Sequence, residues 1–121
     1  MTALKVYTLS NCDTCRKAVQ WLRGHGVAFA EHAIRTTPPT PEELGAMLAA
    51  YRGERRKLFN TAGADYRAQK LGEKLPDLSD AVALGLLAAN GNLVKRPFAI
   101  GAGVALVGFD EAAWTAALGK K

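Results

Sequence analysis

Hydrophobic and polar residues follow two different periods along the chain, and the change from one to the other predicts strands and helices. Residues 3–9, ALKVYTL, are rich in β-branched and aromatic side chains and end at the turn-prone Ser10 and Asn11, which predicts a strand. The next apolar positions recur at helical spacing: Ala18, Val19, Trp21 and Leu22. Residues 27–34, VAFAEHAI, predict a second strand. Strand, helix and strand in this order predict a βαβ unit with parallel strands.

The middle of the chain predicts a block of helices over about residues 41–90. It follows a proline-containing linker, TTPPTP, and Thr40 and Pro41 have the residue types preferred at the start of a helix. From residue 54 onward the helical stretches are short, and a Ser or Asp at 79 or 80 is expected to cap the last of them. Breaks are expected at Gly63, Gly72 and Pro76.

The last third of the chain returns to strands. Residues 92–100, NLVKRPFAI, and 104–109, VALVGF, predict a hairpin, and residues 110–118 predict a closing helix. The order β-α-β, helices, β-β-α predicts an α/β protein of thioredoxin-like fold with an all-helical insertion. We expect one domain over residues 1–121.

Composition supports a soluble globular chain that needs no disulfide for stability. Of its 121 residues, 49% are hydrophobic and 22% are charged, and a domain of this size buries most of its unfolded surface. The apolar run near the start is too short for a secretory segment, and no stretch approaches the roughly 18 apolar residues of a membrane span. We therefore expect a cytoplasmic protein with no membrane partner. The net charge of +5 is compatible with an anionic substrate, an acidic partner or simply a basic surface.

Cys12 and Cys15 are the only cysteines of the sequence, and they form a C-x-x-C pair. In a reducing compartment such a pair is a candidate for redox catalysis, redox sensing or metal binding, with two inert buried thiols as the alternative. Zinc would need two further ligands, and the two histidines, His25 and His32, lie at unhelpful spacing. We therefore expect no metal site.

The predicted position of the pair favours a nucleophilic role for Cys12. Cys12 would lie where the first strand leads into the first helix, at the positive end of the helix dipole, and Arg16 would follow one turn later. Both features favour the thiolate form, which is the reactive one. Cys15, three residues further along the same helix, could then resolve an adduct on Cys12 by forming a disulfide with it.

Five stretches of the sequence together resemble a known family. These are YTLSNCDTCRKAVQWLRGHGVAF, PPTPEEL, LFNTAGADYR and the paired segments LVKRPF and LVGF, and they lie between residues 6 and 109. They resemble the arsenate reductase (ArsC) family, which includes Spx-type redox regulators and small glutathione-dependent reductase-like members. The resemblance implies a thiol-dependent oxidoreductase that attacks arsenate, a disulfide or a glutathione adduct.

The resemblance also implies roles for particular residues. Cys12 matches the nucleophile, and Arg16 completes a C-x3-R motif. Arg96 and Pro97 match an Arg-Pro pair whose proline is typically cis and whose arginine lies over the cysteine. An arginine of the helical block is a further anion contact, with Arg56 as the candidate and Arg52 or Arg55 as alternatives. Asn11, in the loop before Cys12, is an additional candidate for anion binding.

The sequence differs from the glutaredoxin-linked arsenate reductases at two positions. Thr8 stands where they have a histidine that tunes the thiolate, and Phe109 stands where they have an anion-binding arginine. No bound cofactor is implied; the reductant would be glutathione with glutaredoxin, or thioredoxin. Cys15 resembles the second cysteine of the Spx switch, which implies the RNA polymerase alpha subunit as an alternative partner. The sequence contains no stripe of interleaved basic and aromatic residues, so we do not expect direct DNA binding.

Overall fold

The computed structural model describes residues 3–118, and their contacts divide the chain into two compact units. The sheet unit combines the two ends of the chain, Met1–Ala33 and Arg96–Lys121, and the helical unit comprises Ile34–Lys95. Each is described by itself below. The expectation of a single domain over residues 1–121 stays a prediction.

The sheet unit contains four strands and two helices among its described residues. They are β1 (Lys5–Thr8), α1 (Asp13–Gly24), β2 (Ala30–Ala33), β3 (Phe98–Gly101), β4 (Val104–Val107) and α6 (Glu111–Leu118). The strands lie in the order β2-β1-β3-β4, with β1 parallel to β2 and the other two pairs antiparallel. The predicted α/β class and the β-α-β then β-β-α order are confirmed.

Helix α1 is held to the sheet by one apolar face. Ala18, Trp21 and Leu22 of this helix are buried and pack in the same cluster as Val6 of β1 and Trp114 of α6. Burying apolar surface in this way stabilises the unit by roughly 25 cal/mol per Å². The packing also fixes the direction of α1, whose N-terminus lies after the carboxyl end of β1.

The helical unit contains four α-helices and three short 3₁₀ helices among its described residues. The α-helices are α2 (Pro41–Ala50), α3 (Ala64–Ala68), α4 (Leu71–Lys74) and α5 (Asp80–Ala89), and the 3₁₀ helices are Arg55–Leu58, Leu75–Asp77 and Gly91–Leu93. The predicted start of α2 is confirmed: the Thr40 hydroxyl accepts from the Glu43 N–H, and the Glu43 carboxylate accepts from the Thr40 N–H. Ser79, rather than Asp80, is the N-cap of α5.

Several predicted boundaries differ from the structure. Strand β2 covers only Ala30–Ala33 of the predicted residues 27–34, because Val27 instead follows the turn that ends α1 and packs on the core. The predicted strand at 92–100 begins only at Phe98, since a 3₁₀ turn precedes it. Gly72 lies inside α4 rather than at a break. No helix within residues 3–118 has the length and apolar character needed to cross a membrane.

Candidate functional site

Cys12 is the N-cap residue of α1. Its backbone is extended, with φ −102° and ψ 113°, and its Sγ accepts a hydrogen bond from the Cys15 N–H at 3.2 Å. The side chain is half-buried. A sulfur in this position receives a backbone N–H that the helix leaves unpaired and lies at the positive end of the helix dipole. The structure therefore gives Cys12 the helix-terminus position that the sequence predicted.

Cys15 lies one turn into α1 and is buried, with 2% of its surface exposed. Burial, followed by the hydrogen bond with the Cys12 side chain, raises the pKa of Cys15 from 9.0 to about 12. A hydrogen bond with the Leu9 backbone and the positive charge of Arg96 act in the opposite direction. Both cysteines are free thiols in this structure. The pair thus consists of a partly accessible Cys12 and a buried, protonated Cys15.

Arg96 is the first residue of the second chain segment of the sheet unit, and its positive charge acts on Cys15. It follows the helical unit directly in the chain, and its charge lowers the pKa of Cys15. The Nε and Nη1 atoms of Arg96 are buried, and no described residue accepts a hydrogen bond from them. The Arg96–Pro97 peptide bond is cis, as the resemblance implied, and Pro97 is buried. Two nitrogens of the guanidinium thus lack a hydrogen-bond acceptor.

Arg16 lies one turn after Cys12, but its guanidinium is already engaged. It forms an ion pair with Asp13, in the same first turn of α1, and both side chains are largely exposed. Sequence reasoning missed Asp13 as a competitor for Arg16, although an acidic residue in the first turn of a helix is common. Asn11 is exposed in the turn that precedes Cys12.

A cavity of about 320 Å³ lies beside Cys15 within the sheet unit. Its lining comes from β1, the following loop, α1 and β2: Thr8, Leu9, Ser10, Cys15, Arg16, Val19, Gln20, Arg23 and Glu31. Arg23 and Glu31 were not predicted as site residues. Arg23 is two turns after Arg16 on the same helix, and this spacing was the signal that could have identified it.

The two positions that differ from the arsenate reductase pattern have structural roles here. The Thr8 hydroxyl donates to the Glu31 Oε2 at 2.6 Å and is buried. Phe109 packs edge-on against Trp114, with ring centroids 5.2 Å apart.

His25 stacks on Trp21, with ring centroids 4.0 Å apart. No group of three potential metal ligands occurs among residues 3–118.

The three candidate arginines of the helical unit have different surroundings. Arg55 donates to the backbone oxygens of Leu75 and Leu78, so it links the turn Arg55–Leu58 to the segment before α5. Arg52 is exposed with a left-handed φ of 59°. Arg56 is exposed and lines a separate cavity within the helical unit. Its assignment to the anion site of the cysteines stays a prediction, whereas Arg55 has a structural role.

Comparisons with known proteins agree with the resemblance. The chain is 41% identical over 109 residues to the uncharacterized protein YusI of Bacillus subtilis, which covers 90% of this chain and 92% of the relative. It is 32% identical over 108 residues to the global transcriptional regulator Spx of Streptococcus agalactiae, covering 89% of this chain and 77% of the regulator.

A solved structure gives the same relationship at the level of the fold. A possible arsenate reductase from Streptococcus mutans UA159 superposes with a TM-score of 0.83 at 34% identity, covering 90% of this chain and 92% of that one. Residues 7–117 match the ArsC family. With the C-x-x-C pair at the start of α1 and the Arg-Pro pair before β3, the chain belongs to the ArsC family.

Proposed function

We propose that the protein is a thiol-dependent oxidoreductase of the reducing cytoplasm in which Cys12 is the nucleophile. The observation that carries the proposal is the Sγ of Cys12 at the N-terminus of α1, with a buried thiol on the next turn and the unpartnered N–H groups of Arg96 in the same unit. Such an arrangement stabilises a sulfur anion and the negative charge that develops on a substrate.

A disulfide substrate would be reduced in two exchange steps. The Cys12 thiolate attacks one substrate sulfur, a new S–S bond forms, and the other substrate sulfur leaves with the electron pair of the broken bond. Cys15 then loses its proton to solvent and attacks the Cys12 sulfur, which expels the second substrate thiol and leaves a Cys12–Cys15 disulfide. Two electrons from glutathione with glutaredoxin, or from thioredoxin, regenerate the two thiols.

Arsenate would follow the same order of bond changes. The Cys12 thiolate displaces one arsenate oxygen, which leaves as water after protonation, and an S–As bond forms. A second thiol, from Cys15 or glutathione, attacks the Cys12 sulfur, and the S–As electron pair passes to arsenic, which is reduced from As(V) to As(III). Arg96 would hold the oxyanion by forked hydrogen bonds, and Arg16 would assist after exchanging Asp13 for the substrate.

The surroundings of Cys15 favour its reaction after that of Cys12. Burial is the largest cause of the raised pKa of Cys15, and the hydrogen bond with Cys12 and then the negative charge of Cys12 raise it further. An adduct on Cys12 removes the charge, whereas the pKa-lowering charge of Arg96 stays. Cys15 would therefore become a better nucleophile only after the first step has taken place.

The cavity beside Cys15 supports a small charged thiol as one of the reactants. Arg23 supplies one positive group to its wall, and Arg16, about 10 Å away along the helix at 1.5 Å per residue, supplies a second after exchanging Asp13 for the ligand. Glu31 supplies a negative group. Glutathione carries two carboxylates and one ammonium group, so its charges complement those of the wall. We therefore favour a glutathione adduct over arsenate as the substrate, particularly since Thr8 and Phe109 have structural contacts instead of anion contacts.

The test compares two substrates and two electron donors. Purified protein is supplied with arsenate or with the mixed disulfide of cysteine and glutathione. NADPH oxidation is followed with glutathione, glutaredoxin and glutathione reductase, or with thioredoxin and its reductase, and the rate without the protein is subtracted in each case. We expect turnover that Cys12→Ser abolishes, whereas Cys15→Ser removes only the thioredoxin-linked route. Thr115→Ala, which keeps both thiols and replaces an exposed residue of α6 outside the cavity lining, is the matched control. Full turnover by Cys12→Ser would disprove the proposal.

A redox-gated regulator is the second candidate function. It is favoured by the similarity to the global transcriptional regulator Spx of Streptococcus agalactiae and by the C-x-x-C pair, which would act as a disulfide switch. This candidate predicts binding to the RNA polymerase alpha subunit that changes when Cys12 and Cys15 are oxidised. A pull-down of the alpha subunit with oxidised and reduced protein tests it, and absence of binding in both states rules it out.

A further inference from the structure

The helical unit contains a second cavity, of about 270 Å³, and no cysteine lines it. Its wall is formed by the turn at Arg55–Leu58, by Tyr66 of α3, by Gly72 of α4 and by Leu75 and Pro76. This volume is slightly below the roughly 300–1,000 Å³ of pockets that bind drug-sized ligands. The cavity is therefore suited to a small ligand.

Tyr66 gives this cavity an unexplained polar group. The residue is buried, with 6% of its surface exposed, and its hydroxyl has no hydrogen-bond partner among the described residues. A buried hydroxyl without a partner costs roughly 1–3 kcal/mol, so its presence calls for an explanation. The hydroxyl end of the ring faces Gly72, where a Cβ would lie 3.7 Å from the Tyr66 Oη. Both residues line the cavity, and the hydroxyl end of the Tyr66 ring lies on its Gly72 side.

Arg56 supplies positive charge to the same wall. It is one of three consecutive basic residues, and both of its neighbours have partners: Arg55 pairs with Asp80 at 3.5 Å, and Lys57 pairs with Glu54 at 3.7 Å. No described residue pairs with Arg56. Glu54, the acidic residue of this wall, is itself the partner of Lys57. The charge left for a ligand is therefore that of one guanidinium.

The remaining wall of the cavity is apolar. The ring of Tyr66 and the side chains of Leu75 and Pro76 line it, and Gly72 contributes no side chain. A carboxylate would satisfy Arg56 through a charge-assisted hydrogen bond and could accept from the Tyr66 hydroxyl, while an attached ring would cover the apolar wall. From these contacts we propose that this cavity binds a small carboxylate with a flat apolar body. The proposal does not rest on the thiol chemistry of the sheet unit.

The experiment is an NMR titration of the full-length ¹⁵N-labelled protein with sodium benzoate. We expect saturable shifts of the amide signals of Arg56, Tyr66 and Gly72. Benzyl alcohol has a similar ring without the charge, and sodium acetate has the charge without the ring, so both should bind at least fivefold more weakly. No saturable shift with benzoate, or equal affinity for benzyl alcohol, would overturn the proposal.

Variants identify the contacts. Arg56→Gln should weaken benzoate binding about tenfold or more, since a hydrogen bond to a charged group is worth about 1.5 kcal/mol or more and 1.4 kcal/mol is a factor of ten. Arg52→Gln, an exposed arginine of the same unit that does not line the cavity, is the matched control and should bind as the wild type does. Equal weakening by the two variants would show nonspecific charge attraction and overturn the proposal.

Two further variants test the cavity itself. Tyr66→Phe removes only the unpartnered hydroxyl, so it should weaken benzoate binding without lowering the melting temperature. Gly72→Leu should fill the cavity and abolish binding, and Gly72→Ala, whose methyl group fits at 3.7 Å, covers the case in which the larger side chain prevents folding. Unchanged benzoate affinity in Tyr66→Phe together with unchanged affinity in the folded Gly72 variant would overturn the proposal.

Discussion

The N–H of Cys15 donates to the Sγ of Cys12 at 3.2 Å, so the two thiols are linked through the first turn of the helix that carries them. One cysteine caps the helix, and the other is buried on its inner face. This contact stabilises α1 through its N-cap. Burial of the Cys15 thiol and a second hydrogen bond, between the two cysteine side chains, raise the pKa of Cys15 and keep it protonated. Helix stability and thiol chemistry can therefore be separated by choosing substitutions that keep one and remove the other.

Replacing Cys12 by serine or by alanine separates its two roles. Serine is a preferred N-cap residue, whereas alanine cannot accept the Cys15 N–H, so Cys12→Ala should unfold with a free energy about 0.5–2 kcal/mol lower than Cys12→Ser. Both variants should be inactive in the thiol-disulfide assay. Urea unfolding under reducing conditions measures the difference. Equal stability of the two variants would show that the sulfur does not cap the helix.

The buried thiol of Cys15 predicts a loss of stability in alkaline solution. Because the pKa of Cys15 is raised from 9.0 to about 12 in the folded state, the folded chain keeps a proton that the unfolded chain releases above about pH 9. The contribution is fully present below pH 9 and decreases as the pH rises towards 12. The difference in the free energy of unfolding between wild type and Cys15→Ala should thus be constant from pH 7 to 8.5.

Above pH 9 the free energy of unfolding of the wild type should fall relative to that of Cys15→Ala. Urea unfolding at pH 7, 8.5, 9.5 and 10.5 measures it, and the subtraction of Cys15→Ala removes the titration of lysines and tyrosines that both proteins share. A difference that stays constant up to pH 10.5 would contradict the burial of a protonated thiol at this position.

Arg96 should matter for chemistry and little for stability. Its Nε and Nη1 are buried without a hydrogen-bond partner among the described residues, so Arg96→Met leaves no acceptor unpaired and should not lower the melting temperature. Loss of a group that stabilises developing negative charge typically costs about 10²–10³ in kcat. Steady-state kinetics with the glutathione mixed disulfide measures this effect.

Lys95→Met is the matched control for Arg96→Met. It removes an exposed positive charge from the adjacent position and should leave kcat within about twofold, while Arg96→Lys should recover part of the activity. A fall in kcat of the same size in Lys95→Met would assign the effect to net charge rather than to the guanidinium of Arg96.

The features predicted from sequence are those fixed by neighbouring residues in the chain. The position of Cys12 at a helix N-terminus, the start of α2 at Thr40 and Pro41 and the apolar face of α1 depend on spacing within one helix, and all were predicted. The pairing of Arg16 with Asp13 and the unpartnered hydroxyl of Tyr66 were not. The first depends on whether the long side chain of Arg16 pairs with Asp13 or lies beside Cys12. The second depends on which residues distant in the chain surround the Tyr66 hydroxyl. The predicted strand boundaries at residues 27–29 and 92–97 were wrong because residues of strand-like composition there follow or form turns instead of pairing in the sheet.

Gly91 and Gly45 should respond in opposite ways to the same substitution. A Cβ on Gly91 would overlap the backbone oxygen of Ile34, whereas a Cβ on Gly45, inside α2, would meet no atom within 4 Å. Overpacking of this kind costs typically 1–3 kcal/mol, so Gly91→Ala should lower the free energy of unfolding by about that amount. Gly45→Ala should raise it by up to about 1 kcal/mol, because alanine is the better helix former.

Urea unfolding of the wild type and both variants measures this pair, with circular dichroism at 222 nm as the probe. Both substitutions lie in the helical unit and leave the cysteines unchanged, so turnover per folded molecule should stay at the wild-type value. Because the carbonyl of Ile34 is backbone, relief by a side-chain movement is not available, and the loss in Gly91→Ala should not be recovered by truncating the side chain as Ile34→Val. Wild-type stability in Gly91→Ala would show that the two segments do not approach each other this closely in solution.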